Sequence, residues 1–260
     1  MALAAVVVSI ISDAGGSGPF ALVGVALGLL GFLIVSRAGN VVGWFFLVSG
    51  FSLSLSAFTD GYIYDSLLGR SEPLPGTSLA GWLNNLAFGL LAAPLPLIFL
   101  VFPTGRIPSP RWRPVVWLWA VALGLLSLAL ALRPGAVFAT PADQGGIDVA
   151  NPIGIDELEP VLGLVIQAAA TALIIVAGLS LVSLIIRFRR ARGEERQQMK
   201  WLVYVAAVIA VLFLILFFID LATGDQPSGV TDTISSIVWG AFAFLFAIGI
   251  PGAVAIAVLK

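Results

Sequence analysis

The charged residues of this chain are sorted by sign into two alternating sets of connections between long apolar runs. Of 13 Lys and Arg residues, only Arg70 and Arg133 fall in one set. The rest fall in the other set: Arg37, Arg106, Arg111, Arg113, Arg187, Arg189, Arg190, Arg192, Arg196, Lys200 and the terminal Lys260. Of 14 Asp and Glu residues, only Glu194 and Glu195 share the basic connections. Such sorting is the mark of a polytopic helical membrane protein, in which basic loops stay in the cytoplasm. Composition agrees, because the chain is 60% apolar, only 10% charged and has mean hydropathy +1.08. A soluble domain of this size would lack the polar groups to cover its surface.

The expected fold is therefore all-α, a transmembrane bundle. A span needs about 20 apolar residues, and seven runs meet that length, at 19–35, 41–58, 79–102, 114–132, 161–186, 201–221 and 234–259. Residues 19–260 read as one seven-helix domain. Residues 1–18 are an apolar N-terminal segment of a different kind. Met1–Ile11 has no basic start, so it is a poor signal peptide, and Asp13 with the following glycines separates it from the first run. If that segment also crosses, there are eight spans. The positive-inside rule puts the protein in the cytoplasmic (inner) membrane with its C-terminus inside in either case. The basic loops are short and suit anionic lipids of the inner leaflet, so membrane lipids are the expected partner and nucleic acid is not.

The chain has no cysteine and no histidine. Thiolate chemistry, the commonest metal ligand and the commonest general base are thus missing. No ionisable residue falls near the middle of a run, the closest being Asp220 at the outer end of the sixth. Ion-coupled transporters usually carry such residues at depth. An enzyme is accordingly not expected, and neither a metal nor another cofactor is.

Neutral polar residues remain. Asn84 and Asn85 lie in the outer half of the third run; Gln167 and Thr171 share a face of the fifth; Ser49, Ser52 and Ser56 share a face of the second. The plain reading is hydrogen bonding between helices. The functional reading is an outward pocket built from Asp60, Tyr62, Trp82, Asn84, Asn85, Gln167 and Asp220, beneath the outer connections 59–78 and 133–160. Connections of that length tend to be lids or binding loops. Gly24 and Gly28 form a GxxxG, which fits a homodimer face as well as a contact within the chain. Pro94 and Pro96 interrupt the third run and Pro251 the seventh, where Pro251 is a hinge candidate.

The inner connections hold the most particular sequence. The first is Gly39-Asn40-Val-Val-Gly43-Trp44. The second runs from Phe102-Pro103-Thr-Gly105-Arg106 to Arg111-Trp112-Arg113. The third includes Arg192-Gly-Glu-Glu195-Arg196-Gln197-Gln-Met-Lys200-Trp201. Gly105 suits a left-handed helix cap, with Arg106 placed to meet the last carbonyls. The spacing of Arg190 and Glu194 predicts a helical hairpin end laced with ion pairs. In this order, and with Asn151-Pro-Ile-Gly154 in an outer connection, the segments resemble the membrane-embedded N-terminal region of a family of bacterial sensor histidine kinases, many of them actinobacterial. The resemblance covers nearly the whole chain from Pro19. It implies a signal-input domain whose last helix passes a stimulus to a cytoplasmic kinase output domain or partner. In that family a linker and the kinase domains follow the last span, where this chain reaches Lys260. The expectation is therefore a sensor region or a stand-alone relative, without kinase chemistry of its own. The alternative from another class is a stand-alone lipid or small-molecule carrier or membrane scaffold, which would need a continuous polar path.

Overall fold

The computed structural model describes residues 17–91, 93–140, 146–223 and 229–258. Met1–Ile11 and Lys260 lie outside these residues. Helix α1, Ser17–Ala38, ends where Gly39 takes φ +59° and donates its N–H to the Val35 carbonyl at 3.1 Å. Asn40 then starts α2, Val41–Leu67: its side-chain oxygen accepts from the Val42 N–H at 3.0 Å. That bond satisfies one of the donors a helix N-terminus leaves open. With a two-residue connection, α2 returns antiparallel along α1.

Glycines set the closeness of that pair. A Cβ on Gly50 would lie 2.6 Å from the Gly28 nitrogen, and one on Gly31 would lie 2.6 Å from the Gly43 oxygen. Gly24 and Gly31 of α1 thus face Gly50 and Gly43 of α2, which lets the two backbones touch, while a Cβ on Gly28 would meet nothing within 4 Å.

Helix α3, Thr77–Leu91, stops short of Pro94, and α4, Leu95–Val101, resumes after it. Prolines remove backbone donors and leave carbonyls open. Neighbouring helices fill two of them. Ser49 donates to the Leu91 carbonyl at 3.0 Å, and the Trp119 indole donates to the Ala93 carbonyl at 2.7 Å. Irregular backbone at this depth is tolerable only when protein groups satisfy it in this way. Short α4 is the centre of the main core, with Leu97 through Phe102 all buried. Leu27, Ile34, Phe46, Val176, Leu184, Met199 and Val254 belong to the same cluster.

A turn of 3-10 helix, Pro110–Trp112, leads into α5, Arg113–Leu132. Strands β1, Ala136–Ala139, and β2, Asp148–Ala150, pair antiparallel with a bulge between Ala136 and Phe138. A second 3-10 turn, Asp156–Leu158, precedes α6, Glu159–Arg190, and α7, Gly193–Thr223. The last part comprises α8, Gly229–Phe244, a π turn, Leu245–Gly249, and α9, Ile250–Val258, which packs on α7 and α1. Helices α5 and α6 turn large apolar side chains outward: Trp117 is 71% and Ile174 is 72% exposed. Apolar exposure on that scale needs lipid or another protein to cover it.

Among the described residues, six helical segments are long and apolar enough to cross a membrane, with α3 and α4 counted as one. Four expectations need correction. The second run does not end at 58, because α2 continues to Leu67 and carries Asp60, Tyr62 and Tyr64 on a helix rather than a loop. The 187–200 connection shrinks to Ala191 and Arg192, because α6 and α7 both extend into it. The chain is mostly helical but not all-α, since residues 136–150 include the hairpin. The seventh run begins before 234, at Gly229, and continues without a break through α8, the π turn and α9 to Val258. There the Ile250 N–H reaches back five residues to the Leu245 carbonyl. That wide turn sits immediately before Pro251, so the bend has an identifiable cause.

Candidate functional site

At the acidic end of the bundle, the expected pocket residues are taken up in joining elements. The Asn84 amide donates to the Ser56 carbonyl at 3.0 Å, Thr59 Oγ1 at 3.0 Å and Asp60 Oδ1 at 2.9 Å, and so ties α3 to α2. Tyr62 donates its hydroxyl to the Pro75 carbonyl at 2.6 Å, which closes the 68–76 connection. Trp82 donates to the Ala131 carbonyl at 3.0 Å, and Asn151 donates to the same oxygen at 2.9 Å. Together they satisfy the carbonyl end of α5. Asn85 is half-buried, but Gln167 is exposed on α6, away from the α2–α3 contact. The side chain of Asp220 lies outside the described part. Among the described side chains, Asp60 and Asn84 are brought together, and Gln167 is not part of that contact.

The hairpin accounts for the extension of α2. Ile63, Ala80, Ile147 and Val149 form a second buried cluster, flanked by Tyr62, Tyr64 and Phe138. Tyr64 and Phe138 meet edge-to-face with centroids 6.2 Å apart. The 133–160 connection is thus a cap on the ends of α2 and α3. Asn151 and Gly154, part of the resemblance, hold its return: Asn151 also donates to the Arg133 carbonyl at 2.7 Å, and a Cβ on Gly154 would lie 2.7 Å from Pro134 Cα.

At the basic end two of the motif segments meet, and the helix leading into the third reaches them. Asn40, whose side-chain oxygen starts α2, turns its amide to the Pro103 carbonyl at 2.8 Å, across 63 positions of sequence. Gly105 takes φ +71° and donates its N–H to the Val101 carbonyl at 2.9 Å, a left-handed cap as expected. A Cβ there would clash with Asn40 Oδ1, so the close approach needs glycine as well as the backbone angle. Arg187, on the last turn of α6 ahead of the third segment, donates from its guanidinium to the carbonyls of Phe99 and Phe102. This role had been expected of Arg106, and sequence spacing gives no clue to it, because Arg187 lies 85 positions from Phe102. A charged fork on two carbonyls is among the stronger hydrogen-bond arrangements.

Beside this junction lies a cleft of about 660 Å³. Its walls are the 103–112 loop and the last turns of α6, with Thr104, Arg106, Ser109, Trp112, Ser183, Arg187 and Arg190 among its lining. Among the described residues, no carboxylate lines it. Ser183 is 1% exposed, and its hydroxyl has no hydrogen-bond partner. Basic groups around a cleft, with a buried hydroxyl in its lining, can hold an anion.

The remaining motif residues divide by role. Gly43 gives α1 its close approach. Trp44 and Trp201 are exposed on the bundle surface, where their amphipathic rings suit a headgroup layer. Arg111, Arg113, Arg192 and Gln197 are exposed, and Trp112 packs against the main core. The expected pairing of Arg190 with Glu194 falls outside the described side chains; those described place cations over rings, Arg196 over Phe188 at 5.5 Å and Lys200 over Tyr204 at 5.8 Å. The side chains of Glu194 and Glu195 lie outside the described part. With the geometry in hand, comparison with protein-family models, curated proteins and solved structures found no match.

Proposed function

We propose that this chain is a membrane-embedded signal-input module of the kind that precedes the catalytic core of bacterial sensor histidine kinases. In this reading it crosses the cytoplasmic membrane seven times, with α8, the π turn and α9 as the seventh span. The basic end and the C-terminus face the cytoplasm. One observation carries the reading. Two of the three segments on which the resemblance rests interlock through Asn40, Pro103 and Gly105, and Arg187, on the helix that leads into the third, binds Phe102 of the second. A set of unrelated topogenic loops has no need to interlock.

The last helix is the route outward. Helix α9 packs on α1 and α7, so a stimulus that shifts either of them reaches it. The physical requirement is two packings a few kcal/mol apart, with the stimulus preferring one. The π turn before Pro251 is the element whose geometry can differ between them. The chain supplies input, and the chemistry belongs to an output domain or partner. A carrier finds less support, since Gln167 and Thr171 face outward instead of extending a polar path.

The test joins the chain, at its C-terminal end, to the dimerisation and ATP-binding core of a histidine kinase and reads autophosphorylation in membranes. Pro251→Ala restores a backbone donor and favours a regular helix across the π turn. The expected result is a several-fold change in autophosphorylation at unchanged membrane insertion, since about 1.4 kcal/mol between packings is a tenfold change in their ratio. Autophosphorylation equal to the parent fusion, for Pro251→Ala and for a Leu245–Gly249 polyalanine variant alike, would refute the last-helix route.

A further inference from the structure

We propose that the cleft between the 103–112 loop and the end of α6 is a specific site for a phosphate group at the basic end of the bundle. Three observations converge there. Arg106 and Arg190 are exposed on opposite walls, one from each element, and among the described residues no carboxylate lines the space between. Arg187, held by the Phe99 and Phe102 carbonyls, adds a fixed positive charge to the same lining. Ser183, buried and without a hydrogen-bond partner, offers a hydroxyl donor from α6. A buried hydroxyl left unpaired is unfavourable and is rare unless a ligand or water completes it. Phosphate oxygens match this set: guanidinium groups bind them in a planar fork, and hydroxyls fill the remaining acceptor positions.

Two sources can deliver such a group: an anionic lipid headgroup or a soluble phosphate. Ile107, Trp112 and Ile186 form an apolar side of the same cleft, which suits the glycerol and first methylenes of a lipid. This differs from general attraction of a basic loop to a charged surface, which spreads over many residues and fades with salt. A site predicts that particular arginines matter and equally exposed ones do not.

The experiment uses the full chain in detergent and measures bound lipid by native mass spectrometry. Phosphatidylglycerol and phosphatidylcholine are offered separately, and inorganic phosphate is offered as competitor. The expected result is retention of phosphatidylglycerol over phosphatidylcholine, weakened about tenfold by Arg106→Gln or Arg190→Gln, each of which removes a charged hydrogen-bond donor set. Ser183→Ala should weaken it less, and Arg111→Gln, outside the cleft, should leave it unchanged. Thermal unfolding of each variant confirms that the fold is intact. Displacement of the lipid by millimolar phosphate, or protection by phosphate without lipid, would assign the site to a soluble phosphate. If Arg111→Gln weakens binding as much as Arg106→Gln and Arg190→Gln do, the attraction is diffuse and the proposal fails. It fails equally if neither phosphatidylglycerol nor phosphate binds.

Discussion

Arg187→Ala is expected to be among the most destabilising single substitutions in the chain, at about 3 kcal/mol or more. The guanidinium serves the carbonyls of Phe99 and Phe102, residues that are 3% and 0% exposed. Hydrogen bonds to charged groups contribute about 1.5–3 kcal/mol each, and carbonyls left unmet in a buried site add their own desolvation cost. The two carbonyls lie at the end of α4, in the centre of the main core, so the loss reaches several helices at once. Arg187→Lys should recover only part of the stability, because a single ammonium cannot reach both oxygens with a planar fork. Arg189→Ala, exposed on the same turn, should change stability by less than about 0.5 kcal/mol. Unfolding in mixed detergent micelles, followed by helical circular dichroism, measures all three. Equal stability of the Arg187→Ala and Arg189→Ala proteins would remove Arg187 from the junction.

A comparable effect is expected at the α1–α2 seam. In Gly50→Val, the first added carbon would lie 2.6 Å from the Gly28 nitrogen and 2.7 Å from the Gly24 oxygen. Both are backbone atoms and cannot turn aside, so the helices must separate along their length. Overpacking costs about 1–3 kcal/mol where side chains can adjust, and the cost here should lie at or above the top of that range. Gly178→Ala is the matched control. Its added carbon has nothing within 4 Å, and it lies inside α6. Alanine is favoured over glycine in a helix by about 1 kcal/mol, so stability should hold or rise. The same unfolding assay decides it, and a Gly50→Val protein as stable as the parent would mean that α1 and α2 do not touch as described.

The sequence makes the spans legible because hydrocarbon demands an uninterrupted apolar run and a helix supplies every internal backbone bond. Run boundaries were less legible for the same reason. Thr59-Asp60-Gly61-Tyr62 reads as loop by polarity, yet its backbone stays helical because Ile63 is buried beneath a hairpin that begins more than seventy residues later, and Ser66 is buried against Thr77. The strands of that hairpin are too short, and one is bulged, to give an alternating pattern over several residues. The inner motifs stood out as sequence, and the capping roles of Asn40 and Gly105 follow from local rules. Their partners do not, since the Asn40–Pro103 and Arg187–Phe102 bonds join residues 63 and 85 positions apart. Of the outer-pocket residues, Asn84, Asp60 and Trp82 use their polar atoms on neighbouring helices and Gln167 is exposed, placements that depend on partners distant in sequence.

The account depends most on one spatial claim: the 103–112 loop and the α6–α7 turn lie together on the cytoplasmic side, and the hairpin cap lies on the other. The chain contains no cysteine, so single-cysteine variants report position without background. Thr104→Cys and Arg192→Cys place thiols at the basic end, and Ser71→Cys and Ile153→Cys at the acidic end, all at exposed positions. An impermeant maleimide added to intact cells should label Cys introduced at positions 71 and 153 at once, and those at 104 and 192 only after the membrane is opened. Labelling of the 104 and 192 variants in intact cells, or accessibility of those two from opposite sides, would contradict the account.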